Sequence, residues 1–207
     1  MKAIGVVLTF WLLSLLLSGC DNQPDKSAQK ANAQSTLAPV PTSAPAAPTK
    51  VTASQSVAQL FIGLTSDARN RPNVNALDTL AAAYSWPKVP DNMKAMLNAQ
   101  AGYVGKVGGQ TVLLGSDGTN DILSVAMRDQ FVPEEILNEL RQVYTLRPKG
   151  VDTEDGQRMD AFTMIDGDHA VGLVTLTYGV VKAIQGTGTL GYISIDRARR
   201  EMPDLRE

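Results

Sequence analysis

The sequence contains few of the residues that usually build reactive or metal-binding sites. Its 207 residues include one cysteine, Cys20, and one histidine, His169. A single cysteine excludes a disulfide within the chain, and with only one histidine beside it the usual cysteine and histidine zinc sites are excluded as well. The formal net charge of −2 gives no electrostatic reason to expect nucleic acid. The sequence therefore predicts no catalytic constellation, no metal site, no cofactor and no identifiable small-molecule substrate.

Long apolar runs are equally scarce. The only one, from Val6 to Leu17, is too short to span a bilayer on its own and lies too early to belong to a folded core. Lys2 precedes this run, and the small residues Ser18 and Gly19 follow it directly before Cys20. This order predicts a cleaved secretory signal over residues 1–19.

Leu17-Ser18-Gly19-Cys20 resembles the lipobox of bacterial lipoproteins. The resemblance implies that the chain is cut before Cys20 and that acyl chains on Cys20, palmitate among them, anchor it in a membrane. In enterobacterial lipoproteins an aspartate after the lipidated cysteine disfavours export to the outer membrane, so Asp21 implies an inner-membrane protein that faces the periplasm. The alternative is an ordinary cleaved signal peptide with a free cysteine nearby.

Residues 20–54 predict a disordered tether behind the anchor. This segment is rich in Ala, Ser, Thr and Gln, contains no aromatic residue, and carries five prolines: Pro24, Pro39, Pro41, Pro45 and Pro48. Such a composition buries too little apolar surface to offset the entropy lost on ordering. Residues 55–207 then have the size of one domain.

Helical periods come first in this domain, and strand-like segments follow. The first predicted helix has a stripe of apolar residues at helical spacing, and this helix should end before Pro72. A second predicted helix covers Val74 to Tyr84, and a short third one starts at Pro90. The stripe consists of Val57, Leu60, Phe61, Leu64 and Ala68, and the third helix would carry Met93, Met96 and Leu97. A further helix should open at Pro133, bury Ile136, Leu137, Leu140, Val143 and Tyr144, and end at Pro148 and Gly150.

Strands are predicted on either side of this last helix. They cover residues 110–114, 122–128, 161–165, 171–178, 180–184 and 191–195, and the second of them alternates between apolar and small or polar residues. We therefore expect an α+β domain in which an N-terminal amphipathic helix packs on a mainly antiparallel β-sheet.

Five features invite a functional interpretation, and each has a simpler one. Gly186 to Gly191 spells G-x-G-x-x-G, but a strand-like segment follows it, which favours a glycine-rich hairpin connection over a dinucleotide site. His169 lies at a predicted turn and would be a general base only with partners that sequence does not show. Arg197, Arg199 and Arg200 among acids predict either a solvated helix end or an interaction surface. Trp86, Tyr103 and Phe131 would form either core contacts or a partner-binding patch.

The fifth feature is a concentration of acids between Asp152 and Asp168. It contains Asp152, Glu154, Asp155, Asp160, Asp166 and Asp168. These residues predict solvated turns, with a calcium site as the alternative, although none of them follows the spacing of an EF-hand loop. If two of the carboxylates converged, Asp166 and Asp168 above all, they would suit an envelope hydrolase.

Residues 76–133 resemble the globular head of the type IVb pilins of conjugative and secretion-related pili. The resemblance lies in the order of features: an Ala-rich segment, Val89-Pro90-Asp91-Asn92-Met93, the pair Gly108-Gly109 opening a strand, and Val132-Pro133 opening a helix. It implies a pilin-head-like fold whose first helix packs on the sheet. A lipid anchor stands where a pilin carries its polymerising stem, and the cysteine pair typical of such heads is absent.

The sequence thus leaves three hypotheses for function. The first is a non-enzymatic, membrane-tethered, pilin-like lipoprotein that acts with a protein partner in a type IV pilus or a conjugation or secretion apparatus. The second is a periplasmic immunity, exclusion or binding lipoprotein. The third is the carboxylate-based envelope hydrolase.

Overall fold

The computed structural model describes residues 51–66, 74–91, 94, 99–119 and 121–201. The helices in this part of the chain are α1 (Ala53–Thr65), α2 (Val74–Ala83), α3 (Pro133–Arg141) and α4 (Ile195–Glu201). The strands are β1 (Ala101–Val107), β2 (Gln110–Ser116), β3 (Ile122–Met127), β4 (Thr145–Glu154), β5 (Gln157–Asp166), β6 (His169–Gly179) and β7 (Gly188–Ser194). The predicted α+β class is confirmed.

The strands form one antiparallel sheet in the order β1-β2-β3-β7-β6-β5-β4. Two meanders, β1 to β3 and β4 to β7, meet in the middle where β3 pairs with β7, and α3 connects them. The last strand of each meander is therefore central, and the first strand of each, β1 or β4, lies at an edge.

Helix α1 begins at Ala53, two residues before the predicted start of the domain, because Thr52 caps it. The Thr52 hydroxyl accepts a hydrogen bond from the Gln55 amide at 3.2 Å, and the Gln55 side chain accepts one from the Thr52 amide at 2.9 Å. This reciprocal capping box satisfies amides that would otherwise lack partners. Ala53 and Ser54 of the predicted tether are thus helical and buried.

The buried stripe of α1 packs on one face of the sheet. Val57, Phe61 and Leu64 are buried as predicted, Leu60 is half-buried, and Ala68 lies outside the described residues. The Phe61 ring meets the ring of Tyr192 on β7 edge to face, with centroids 6.3 Å apart. Burying each of these large side chains contributes about 1.5–3 kcal/mol, so α1 is held to the sheet mainly by this stripe.

Helix α3 lies beside α1 and shares its core. Pro133 occupies the first turn with Glu134 and Glu135, as predicted, and the helix buries Ile136, Leu137 and Leu140. The Thr52 hydroxyl donates to a Glu135 carboxylate oxygen at 2.6 Å, and the Gln59 amide donates to Glu139 at 3.3 Å. These two bonds fix the two helices side by side over the same face.

The opposite face of the sheet carries α4 at one end. Ala198 of α4 is fully buried against Leu173 and Ile193, with Ile122 packed beside them. This second cluster is small, since α4 has only seven residues. It holds the C-terminal helix over β6 and β7.

Three details of the predicted elements are wrong. Residues 180–184 form a turn and not a strand, with the Ile184 amide donating to the Val181 carbonyl at 3.1 Å. Helix α3 ends at Arg141, so Val143 is 49% exposed, while Tyr144 is buried beyond the helix end. Pro148 and Gly150 do not close a helix, because they lie within β4.

Two strands have no counterpart in the predictions. Strand β1 reads Ala-Gly-Tyr-Val-Gly-Lys-Val, whose glycines weaken the strand signal. Strand β4 is exposed along almost its whole length, so it has no alternation between buried and exposed residues for a pattern to detect. The predicted third helix, with Met93, Met96 and Leu97, lies largely outside the described residues.

Candidate functional site

The predicted lipidation and sorting residues, Cys20 and Asp21, lie outside the described residues. Within the described ranges, no helix is long and apolar enough to cross a membrane. The lipid anchor and the inner-membrane location therefore stay predictions.

The acids between Asp152 and Asp168 do not converge. Glu154 and Asp155 lie at the β4–β5 turn, whereas Asp166 and Asp168 lie at the β5–β6 turn. The ten residues of β5 separate these two turns by about 33 Å. Among the described residues no group of three or more acids, histidines or cysteines is placed to hold a metal ion. The six acids are therefore not gathered at one place, and the calcium and hydrolase interpretations stay hypotheses.

Asp160, in the middle of β5, is the buried member of this set. It is 7% exposed and accepts hydrogen bonds from the Tyr178 hydroxyl at 2.8 Å and from the Arg158 guanidinium at 2.9 Å. Burial, together with the hydrogen bond to Asp160 and its negative charge, raises the pKa of Tyr178 above its ordinary value. Each oxygen of the carboxylate therefore has one donor, and the bond from Tyr178 links β5 to β6.

The geometry of His169 and of the glycine-rich segment favours an exposed turn histidine and a connection between two strands. His169 is exposed and begins β6 after the Gly167-Asp168 turn. Gly186, at φ +86°, lies in the connection from β6 to β7, and Gly188 begins β7 opposite Tyr178. A strand follows the glycines, so this segment has no helix N-terminus for a pyrophosphate.

Sequence reasoning missed the most concentrated group of buried charges, which joins the β2–β3 turn to α4. We call it the Asp–Arg cluster; its members are Asp117, Thr119, Asp121, Ser194, Arg197 and Arg200. Asp117 and Asp121 are 7% and 6% exposed. No local pattern indicates this cluster, because the arginines lie about eighty positions away from the aspartates in the chain.

Every carboxylate oxygen in the Asp–Arg cluster has a donor. Asp117 Oδ1 accepts from the amides of Thr119 and Ile122 at 3.1 and 3.3 Å, and its Oδ2 accepts from the Thr119 hydroxyl at 2.5 Å and from Arg197. Asp121 Oδ1 accepts from the Ser194 hydroxyl at 2.6 Å, and its Oδ2 lies 3.4 Å from an Arg200 nitrogen. The cluster therefore fastens α4 to the turn.

Electrostatics in this cluster favour charged Asp117. Burial alone would raise the pKa of its carboxyl, but the hydrogen bonds from Thr119 and Ile122 and the charge of Arg197 outweigh burial and hold the pKa below its ordinary value. A carboxylate kept ionised and saturated with donors is suited to structural support. It is poorly suited to general acid or base catalysis, which needs a pKa near the working pH.

The predicted aromatic set is mostly core. Tyr103 is 8% and Phe131 4% exposed, which confirms core packing for both. Trp86 is half-buried with its ring against Gly105, and it stacks on Tyr84, which is 67% exposed, with ring centroids 5.7 Å apart.

The two edges of the sheet differ in what covers them. Along β1, the Val89 amide donates to the Gly102 carbonyl and the Val104 amide to the Pro87 carbonyl, both at 2.9 Å, so the 86–89 segment lies against this edge. Along β4, no further strand pairs with the outer side among the described residues, and nine of its ten residues are exposed. The outer edge of β4 is the candidate functional site, because an open strand presents unpaired backbone donors and acceptors to a partner.

Comparison with known proteins finds no match: no family model, no curated protein and no solved structure is significantly similar to this chain.

Proposed function

We propose that this chain is a lipid-anchored, non-enzymatic, pilin-like module of a bacterial envelope machine, a type IV pilus or a conjugation or secretion apparatus. Cys20 carries the acyl chains in this proposal, and Asp21 keeps the protein at the inner membrane facing the periplasm. Residues 21–52 hold the folded domain away from the lipid surface so that it can meet a protein partner.

The observation that carries the proposal is the packing of α1 along one face of an antiparallel sheet. The resemblance to type IVb pilin heads implies that arrangement. Two further features agree with the resemblance: Gly108 and Gly109 form the turn that opens β2, with φ of +57° and +82°, and α3 follows Val132-Pro133 after β3. A turn with two positive φ angles favours glycine at both positions.

The polar groups of the domain support a binding role over catalysis. Every carboxylate oxygen of the Asp–Arg cluster and of Asp160 has a donor within the domain, and these bonds stabilise the fold. What the described domain offers to a partner is surface and an open strand edge, which suits a module that assembles with other proteins.

A first experiment tests the anchor in the native host. The full chain should partition into the inner-membrane fraction and incorporate labelled palmitate, and Cys20→Ser should lose the label. A matched Ser18→Ala variant should behave as the natural chain does. Recovery of the natural chain in the outer membrane would contradict the assigned location, and palmitate incorporation by Cys20→Ser equal to that of the natural chain would contradict the lipid anchor.

A second experiment tests the partner. Crosslinking of whole cells followed by purification of the natural chain should enrich pilus or secretion components, and the Cys20→Ser variant should enrich fewer of them. Loss of pili or of conjugation on deletion of the chain would agree. If a toxin is recovered in their place and pili are intact after deletion, the immunity hypothesis replaces this one.

A further inference from the structure

The charges along β4 are divided between its two halves. Arg147 and Lys149 lie in the first half, and Asp152 and Glu154 lie in the second, and all four residues are exposed. Among the described residues, none of them takes part in an ion pair. The strand is therefore basic at one end and acidic at the other, with its charges directed to solvent.

This division makes the strand complementary to itself in one orientation only. When two identical strands pair antiparallel about a two-fold axis, the first half of each lies against the second half of the other. Arg147 and Lys149 of one copy then lie near Asp152 and Glu154 of the other. Parallel pairing would bring like charges together, which is unfavourable across a strand pair.

An exposed apolar residue lies between the two charged halves. Val151 is 63% exposed, and its register partner on β5 is the buried Asp160. On a two-fold axis at this position, Val151 of each copy meets Val151 of the other at a cross-strand distance of about 4.5–5.5 Å between Cβ atoms. That contact buries apolar surface which a single copy leaves in water.

The remaining features of the edge limit how far pairing can spread. Pro148 has no amide hydrogen, and the register with β5 shifts between Pro148 and Gly150, so regular pairing begins at Gly150. Proline and lysine on an edge strand also discourage unspecific association. Because the 86–89 segment covers the β1 edge, the described part of the chain leaves one edge of the sheet open, and self-pairing ends at two copies.

We propose that β4 is a self-recognition strand through which two copies of this chain form a two-fold dimer, antiparallel and with the axis close to Val151. The partner is a second copy of the chain. The inference goes beyond the proposed function and does not depend on it, since self-pairing requires neither a pilus nor a lipid anchor.

A disulfide experiment tests the position of the axis. The full chain carrying Val151→Cys, purified in detergent and mildly oxidised, should run mainly as a disulfide-linked dimer on a non-reducing gel. The matched control is Tyr84→Cys, which is similarly exposed at 67% but lies at the other end of the sheet. Because both chains retain Cys20, equal dimer yields from the two variants would overturn the proposal.

A charge exchange tests orientation without any cysteine. The variant Arg147→Glu with Lys149→Glu carries an acidic β4, and the variant Asp152→Lys with Glu154→Lys carries a basic one. Each should dimerise about tenfold more weakly or worse than the natural chain, because attraction across the pair becomes repulsion. Mixing the two variants should restore dimers that contain one copy of each.

Sedimentation of the full chains in detergent gives the readout, and circular dichroism confirms that each exposed-surface variant is folded. The proposal is refuted if the natural chain stays monomeric at concentrations up to about 100 μM. A dimer with a dissociation constant above that value is not a stable one. A mixture of the two variants that fails to form mixed dimers, while the natural chain does form dimers, would also refute the proposal.

Discussion

The two edge strands of the sheet, β1 and β4, differ in what lies against their outer sides. Strand β1 is hydrogen-bonded to the 86–89 segment, Val89 beside it is 2% exposed, and the Trp86 ring lies on Gly105. Strand β4 has an exposed edge with charges of both signs and a proline. Every edge strand has unpaired backbone groups, and this chain satisfies one set internally and leaves the other for water or a partner.

The half of the sheet that contains β1 also differs from the half that contains β4. The half with β1, β2 and β3 contains Tyr103, Leu114 and Leu123 in the core under α1 and α2, and the Asp–Arg cluster closes its turn. The half with β4 and β5 has much of its surface exposed and depends on Asp160 for a buried polar contact. We therefore expect substitutions in the first half to affect stability and substitutions on β4 to affect association.

A pair of glycine substitutions gives the largest expected contrast. An added Cβ at Gly105 would lie 2.7 Å from the Trp86 ring, whereas one at Gly150 meets nothing within 4 Å. We expect Gly105→Ala to lower the free energy of unfolding by about 1–3 kcal/mol, because the ring must move off the edge. Gly150→Ala should change it by less than about 0.5 kcal/mol. Urea denaturation measures both, and equal effects would show that the covered edge is no more tightly packed than the open one.

The Asp–Arg cluster should make the covered half sensitive to acid. The pKa of Asp117 is lower in the folded chain than its ordinary value of 3.8, so its contribution is complete above that pH and is lost as the pH falls through the folded pKa. We expect Asp117→Asn to cost about 1–2 kcal/mol at pH 7 and less at pH 3. Asp168→Asn, at an exposed turn, is the control. A loss at pH 3 as large as at pH 7 would contradict the role assigned to the Arg197 pair.

The smallest expected effect is in the half with the open edge. Tyr178→Phe removes the hydroxyl that donates to Asp160 at 2.8 Å but leaves the bond from Arg158. We expect a loss of about 1 kcal/mol in thermal or urea unfolding and no change in dimer yield. Tyr84→Phe, at an exposed ring, should leave stability unchanged and serves as the control. A Tyr178→Phe chain as stable as the natural one would show that Asp160 does not need this donor.

The elements predicted correctly from the sequence include those whose apolar residues recur at the period of a helix or a strand. A clear period marks α1, α3 and β3, and its apolar residues are buried as expected: Val57, Phe61 and Leu64 on α1, Ile136, Leu137 and Leu140 on α3, and Leu123, Val125 and Met127 on β3. Strand β4 has no such period because both of its faces are exposed. Its Pro148 predicts a helix end because proline ends helices, but proline is also tolerated on an edge strand.

The candidate sites depended on contacts that the sequence does not encode locally. The acids from Asp152 to Asp168 are close in sequence, yet a β-hairpin separates their ends. Asp117 and Arg197 are far apart in sequence, yet they form an ion pair, because β2, β3 and β7 are neighbours in the sheet. Proximity in a sheet is set by strand order, which a single sequence does not reveal.

The sequence by itself determined the α+β class, the main helices, the turns, and the expectation of a lipid anchor at Cys20, since composition, period and short motifs act over a few neighbouring residues. Only the tertiary structure decided which charges meet and which strand stays open. The reason is that pairing of β3 with β7 makes the starting strand of each meander an edge. Residues 86–89 cover one of these edges, and the charged strand β4 remains exposed at the other.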